Sequence, residues 1–177
     1  MAWALLLAAG QGNRLASATG GLAKQFLDWK GAPLYWESAL VFSRCARVEG
    51  LVFVFPEACI GEEHERVTGL MRDAPLGLPW KVVAGGALRQ DSVRNGLSVL
   101  PDDCEEVLIH DAARPFVSPA LVNRILDGLH GETPGERIAA CIPGVPVVDT
   151  IKVMDEDGKV VATPDRKHLR AVQTPQG

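Results

Sequence analysis

Leu5-Leu-Leu-Ala-Ala-Gly-Gln-Gly-Asn-Arg14 is an apolar run that empties into a glycine-rich turn. Trp3–Ala8 carries no charge and reads as a strand buried on both faces. The small residues Ala8, Ala9, Gly10 and Gly12 let backbone N–H groups come close to a phosphate. A Gly-x-Gly-x-x-Gly pattern would suggest a dinucleotide, but no third glycine closes it and Arg14 stands in the turn instead. Lys24-Gln25-Phe26 follows ten residues on. Two cations flanking a Gly-rich loop suit a triphosphate better than the pyrophosphate of a nicotinamide cofactor. The same residues also fit a tight strand-to-loop turn with surface cations. No Gly-Lys-Ser/Thr is present, so a Walker-type loop is excluded.

Outward from this loop the chain alternates strand and helix. Leu34–Cys45 is predicted as an amphipathic helix, Leu51–Phe55 as a buried strand stopped by Pro56, and 62–72 as a polar helix. Trp80–Ala84 reads as strand, Gly85-Gly86 as turn, Asp91–Leu100 as a short helix and Glu106–His110 as strand. Ser118-Pro119 supplies an N-cap and a proline at the first helical position. Arg137–Ile142 is predicted as a further strand. Such alternation implies an α/β fold with a mainly parallel, twisted sheet covered by helices on both faces. The stretch 144–168 breaks the pattern. Val147–Met154 and Lys159–Thr163 are two strand-like runs about Asp155-Glu-Asp-Gly158, a hairpin turn. A lone hairpin is marginal in water, so this arm is expected to pack on another surface, of which a second subunit is one candidate.

Composition narrows the classes. At 177 residues, 47% hydrophobic and 23% charged, the chain fits one globular domain. The net charge of −4 argues against non-specific nucleic-acid binding. No apolar run is long enough to span a bilayer, so no membrane partner is expected. The opening has no basic residues before its apolar run and reads as a first strand rather than a signal peptide, which favours the cytoplasm. Cys45, Cys59, Cys104 and Cys141 form no C-x-x-C pair, and His64, His110, His130 and His168 are equally scattered. No direct protein ligation of a metal is expected from them.

Three later segments carry further chemistry. Ala84-Gly-Gly-Ala-Leu-Arg-Gln-Asp-Ser92 falls where a strand ends and a helix begins. Gly85, Gly86 and Ser92 could read a base edge there, or Asp91 and Ser92 could simply cap the helix. His110-Asp-Ala-Ala-Arg-Pro115 puts Asp111 and Arg114 on the same rim. They could hold a metal or hydroxyl and a phosphate, or close the loop as an ion pair. In the arm, Thr150, Lys152 and Arg166 read, by themselves, as strand propensity and solvated charge.

Taken in order, Ala-Ala-Gly-x-Gly-x-Arg, Lys-Gln-Phe, Gly-Gly-x-x-Arg-x-Asp-Ser-Val, His-Asp-Ala-Ala-Arg-Pro-Phe, Asp-Thr-Ile-Lys and Thr-Pro-Gln resemble the 2-C-methyl-D-erythritol 4-phosphate cytidylyltransferases. The resemblance implies a Rossmann-like nucleotidyltransferase domain, and a homodimer with exchanged arms. It implies a reaction of CTP with the sugar-alcohol phosphate, giving 4-diphosphocytidyl-2-C-methyl-D-erythritol and pyrophosphate, and Mg²⁺ bound mainly through triphosphate oxygens. Carried over by position, Ala8, Ala9, Gly10, Gly12, Gly85, Gly86, Ser92 and Ala112 would contact the nucleotide. Arg14 and Lys24 would be catalytic at the α-phosphate. Asp111, Arg114, Thr150, Arg166 and Thr174 would surround the acceptor, with Thr150 and Arg166 reaching across from the partner.

The chain departs from the family pattern at several points. Ala23 replaces a usual proline, the stretch from Arg14 to Lys24 is longer and holds Gly20-Gly21, and Ala87 stands where an aspartate is common. The sequence stops after Thr-Pro-Gln, so the C-terminal part of the family domain, with a further lysine, is expected to be absent. A ribitol 5-phosphate cytidylyltransferase and a catalytically inactive nucleotide-binding module are the alternatives. A nicotinamide oxidoreductase would need the missing third glycine and an acidic residue after the second strand, which Glu57 meets only loosely.

Overall fold

A computed structural model describes residues 1–10, 22–131 and 138–177. Gly12 and Arg14 lie outside the described residues. β1 (Ala2–Leu7) is followed by a short turn (Lys24–Phe26) and a minor hairpin of β2 (Asp28–Trp29) and β3 (Ala32–Pro33). Then come α1 (Leu34–Ser43), β4 (Val48–Phe55), α2 (Ile60–Asp73), β5 (Trp80–Ala84), α3 (Arg89–Leu97), β6 (Glu106–Asp111) and α4 (Pro119–Leu129). β7 (Gly144–Pro146), β8 (Val153–Met154), β9 (Val160–Ala162) and β10 (Arg170–Val172) follow.

The main sheet runs β5-β4-β1-β6, with all its neighbours parallel. Alternation along the buried strands divides the core. Ala4 and Leu6 of β1 join Leu51, Phe53 and Phe55 of β4 beneath α1, α2 and α4. Trp3 and Leu5 join Val52 and Val54 on the opposite face, where α3 lies so close that a Cβ on Gly96 would stand 2.6 Å from Leu5. A strand pressed by helices on both sides must be apolar throughout, as β1 is.

Four expectations need correction. α1 is not amphipathic: Leu34, Tyr35, Trp36, Ser38, Ala39 and Phe42 are all buried, because the helix lies between the sheet, α4 and the Lys24 turn. α3 begins at Arg89 and ends at Leu97, two and three residues before the predicted bounds. The described part of the strand expected over Arg137–Ile142 is not strand: Cys141 exchanges two 2.9 Å backbone bonds with Gly177 alone. Of the run Val147–Met154 only Val153–Met154 is strand, pairing with β9, and β7 pairs instead with β10. The hairpin turn itself forms: Gly158 has φ +78°, and Asp155 takes a 2.8 Å bond from the Lys159 N–H through its side chain. Among the described residues no helix is long and apolar enough to cross a membrane.

Candidate active site

The chain passes outward from β1 through β4 to β5, then returns to place β6 on the other side of β1. The carboxyl ends of β1 and β6 therefore bound the crevice where the order reverses, the place at which open α/β sheets bind ligands. A cleft of about 580 Å³ opens there. Ala9 and Gly10 after β1, Lys24 and Gln25, Gly86 and Ser92 after β5, and Asp111 and Arg114 after β6 all line it. On a chain of net charge −4, this cleft collects Lys24, Arg89 and Arg114 against Asp111, the single lining carboxylate among the described residues. That local excess of positive charge suits a polyanion.

Buried hydrogen bonds fix the rim. Gln25 is 3% exposed, and its Nε2 donates to the carbonyls of Ala8 and Gly10, each at 2.7 Å. The side chain of the Lys24 turn thus clamps the β1 loop from within. Ala23 precedes this turn with φ −68° and ψ 139°, the backbone a proline would impose. A proline would fit this backbone path at position 23. After β5, a Cβ on Gly85 would meet that of Ala9 at 2.3 Å, so the two loops can touch only through glycine. Its N–H is used by Phe55 O at 2.7 Å. The Gly86 N–H donates to Ser92 Oγ at 3.1 Å, and the Leu88 N–H to Asp91 Oδ2 at 3.1 Å. Capping by Asp91 is thus realised, with Ser92 4% exposed beside it.

On the β6 side both arginines converge on Asp111. Arg89 Nε and Nη2 lie 3.2 and 3.1 Å from its Oδ1, and Arg114 Nε lies 3.6 Å from its Oδ2. Arg89 also reaches Gln176 Oε1 at 3.4 Å, and Arg114 donates to Gln173 Oε1. Ala112 is not among the residues that line the cleft. It is fully buried with its N–H on Leu7 O at 3.0 Å, and Ala113 lines the cleft in its place. The Thr174 hydroxyl accepts from the Asp111 N–H at 3.3 Å and lies 3.1 Å from His110 Nδ1. His110 is fully buried, and desolvation pushes its pKa down to about 4.

Thr150 and Arg166 are not brought to this cleft by their own chain. They lie exposed in the arm, where Arg166 donates to Val148 O at 2.7 Å. Arg89 and Gln25 fall inside motifs that the sequence marks, yet their roles emerge only in three dimensions. A cation at the start of a helix after a glycine turn was the available signal for Arg89. Among the described residues no group of three or more His, Cys, Asp or Glu side chains is placed to hold a metal.

Residues 2–177 match the family described as IspD, 2-C-methyl-D-erythritol 4-phosphate cytidylyltransferase. The chain is 54% identical over 175 residues to a bifunctional enzyme IspD/IspF of Oleidesulfovibrio alaskensis, covering 99% of this chain and 42% of that protein. It thus spans less than half the length of the bifunctional relatives it matches. It is 40% identical over 174 residues to the 2-C-methyl-D-erythritol 4-phosphate cytidylyltransferase of Rhodococcus jostii, covering 98% of this chain and 69% of the relative. The 4-diphosphocytidyl-2C-methyl-D-erythritol synthase of Anaerococcus prevotii shares the fold with a TM-score of 0.78 at 24% identity, over 99% of this chain and 69% of that one. With a family match along nearly its whole length and a fold that agrees, the chain belongs to the 2-C-methyl-D-erythritol 4-phosphate cytidylyltransferase family.

Proposed function

We propose that the chain transfers the cytidylyl group of CTP to 2-C-methyl-D-erythritol 4-phosphate. The observation that carries this reading is the cleft at the β1–β6 crevice, where Ala9, Gly10 and Gly86 supply close backbone and Lys24, Arg89 and Arg114 supply cations. The acceptor's phosphate monoester has a second pKa of about 6 and is already a nucleophile at neutral pH. One of its oxygens bonds to the α-phosphorus while the bond to the bridging oxygen of the β-phosphate breaks, and pyrophosphate leaves with the electron pair. No general base is required. The obstacle is repulsion between two polyanions, so catalysis rests on positioning and charge neutralisation.

In this scheme Lys24 faces the α-phosphate and Arg114 the acceptor phosphate, while Asp111 orients an acceptor hydroxyl. Arg89 and Arg114 already engage Asp111, which leaves a donor set that suits Mg²⁺ held by phosphate oxygens and water rather than by a protein cage. Bound there, the ion would neutralise charge on the triphosphate. A homodimer belongs to the same reading. The arm exposes Val145, Val148, Val160 and Val161, apolar surface that a second copy would cover, and the exchange would deliver Thr150 and Arg166 to the partner's cleft. The four free cysteines fit a reducing, cytoplasmic setting.

The test is pyrophosphate release by the purified protein with CTP and Mg²⁺, comparing 2-C-methyl-D-erythritol 4-phosphate with ribitol 5-phosphate. Turnover confined to the first acceptor supports the proposal. Preference for ribitol 5-phosphate, or CTP binding without turnover of either, overturns it.

A further inference from the structure

Of the buried polar side chains among the described residues, Gln25, Ser38, Ser92, His110 and Thr174 lie under or along the cleft, and Glu63 alone is elsewhere. His110 is the most connected of them. Its ring packs edge-on against Phe42 with centroids 5.3 Å apart. Nε2 lies 3.0 Å from the Arg114 carbonyl and 3.3 Å from Ser38 Oγ, and Nδ1 lies 3.1 Å from Thr174 Oγ1. A carbonyl can only accept, so the Nε2 proton points at Arg114 and Nδ1 of the neutral ring is an acceptor. Thr174 then donates to Nδ1 while accepting from the Asp111 N–H at 3.3 Å. The result is a directional chain: Asp111 N–H to Thr174, Thr174 to His110, and His110 to the Arg114 carbonyl. Each bond polarises the next.

We propose that His110 is a positioning residue for the acceptor half of the site, joining the Arg114 turn and the Thr174 segment into one wall that sets where the acceptor phosphate docks. The inference rests on the cytidylyltransferase reading above. His110 is fully buried and does not line the cleft, so it acts through Arg114 and Thr174 and touches no substrate. The nucleotide half is held separately, by Gln25 on the β1 loop and Ser92 on the β5 loop. Disturbing the ring should therefore weaken one substrate and spare the other.

The experiment measures KM separately for CTP and for 2-C-methyl-D-erythritol 4-phosphate in the wild type, His110→Phe, His110→Gln, His110→Asn and Thr174→Val. The phenylalanine keeps the shape and removes both bonds. Glutamine can replace the donor to Arg114, and asparagine the acceptor for Thr174. The expected result is a rise of about tenfold or more in acceptor KM for His110→Phe, consistent with losing about one to two hydrogen bonds, with CTP KM within about twofold. Glutamine and asparagine should each recover part of the loss, and Thr174→Val should move acceptor KM in the same direction. If His110→Phe does not fold, the split is read from His110→Asn and Thr174→Val. Equal changes in both KM values, or no change in either, overturn the inference while leaving the activity standing. A wild type inactive on this acceptor fails the underlying reading instead, and the inference with it.

Discussion

The rim of the cleft and the arm are both short-stranded and rich in charge, yet they are held in opposite ways. At the rim, side chains tie together segments far apart in sequence: buried Gln25 to the β1 loop, buried His110 to Thr174, and exposed Arg89 to Gln176. In the arm, Lys152 bonds Thr163 and Arg166 bonds Val148, so the arm is satisfied by its own residues while its valines stay exposed. The described rim is cross-tied between distant segments, whereas the arm bonds within itself and leaves apolar side chains exposed. Rigid positioning suits chemistry that depends on placing charges. Exposed apolar strands suit a surface awaiting a partner.

The largest expected effect breaks the rim at its cation. Lys24→Ala should lower kcat by about 10²–10³, the usual cost of one such electrostatic contact, with little change in CTP affinity; steady-state pyrophosphate release checks it. Next comes backbone proximity. Gly85→Ala forces a Cβ to within 2.3 Å of Ala9 and 2.8 Å of Ser92 Oγ, so it should cost about 1–3 kcal/mol of stability and raise CTP KM. Chemical denaturation alongside kinetics would show both.

A pH experiment sharpens the comparison. His110 has its pKa lowered from 6.5 to about 4 by desolvation, with Asp111 and Arg114 the charged groups acting on it. The unfolded state therefore binds more protons between these values, and stability rises with pH across that interval. The contribution is fully present above about pH 6.5 and is lost as pH falls toward about 4, a change on the order of 3 kcal/mol. Denaturation midpoints for the wild type should fall more steeply over this window than those of His110→Gln; equal slopes would contradict the assignment. The smallest effect belongs to the arm. Val148→Asp should change single-chain stability by less than about 0.5 kcal/mol yet reduce dimer formation in sedimentation experiments. Mixing inactive Lys24→Ala and Arg166→Ala proteins should restore about a quarter of wild-type turnover through random pairing in a two-fold dimer. No recovery despite confirmed heterodimers would remove the arm from the site.

The same contrast explains what was legible beforehand. The strand–turn–helix order and the Ala9–Gly10, Gly86 and Asp111–Arg114 loops follow from periodicity and turn chemistry, which are local, so the fold and the rim could be read directly. Arg89 was hidden because its partners, Asp111 and Gln176, lie 22 and 87 residues away. The His110–Thr174 bond spans 64 residues and left no local trace. Ala112 is a related case. The motif names the loop, but the pairing of its N–H with Leu7 decides that Ala113 faces the cleft. In the arm, β-propensity marked the valines of 147–154, while the partner of β7 proved to be β10, beyond the hairpin.

The most direct test of the account is a crystal structure of the protein with a non-hydrolysable CTP analogue and 2-C-methyl-D-erythritol 4-phosphate. The triphosphate should lie along Ala9, Gly10 and Lys24, and the acceptor phosphate against Arg114 with the α-phosphorus between them. A nucleotide bound away from the β1–β6 crevice, or an acceptor phosphate that does not meet Arg114, would contradict it.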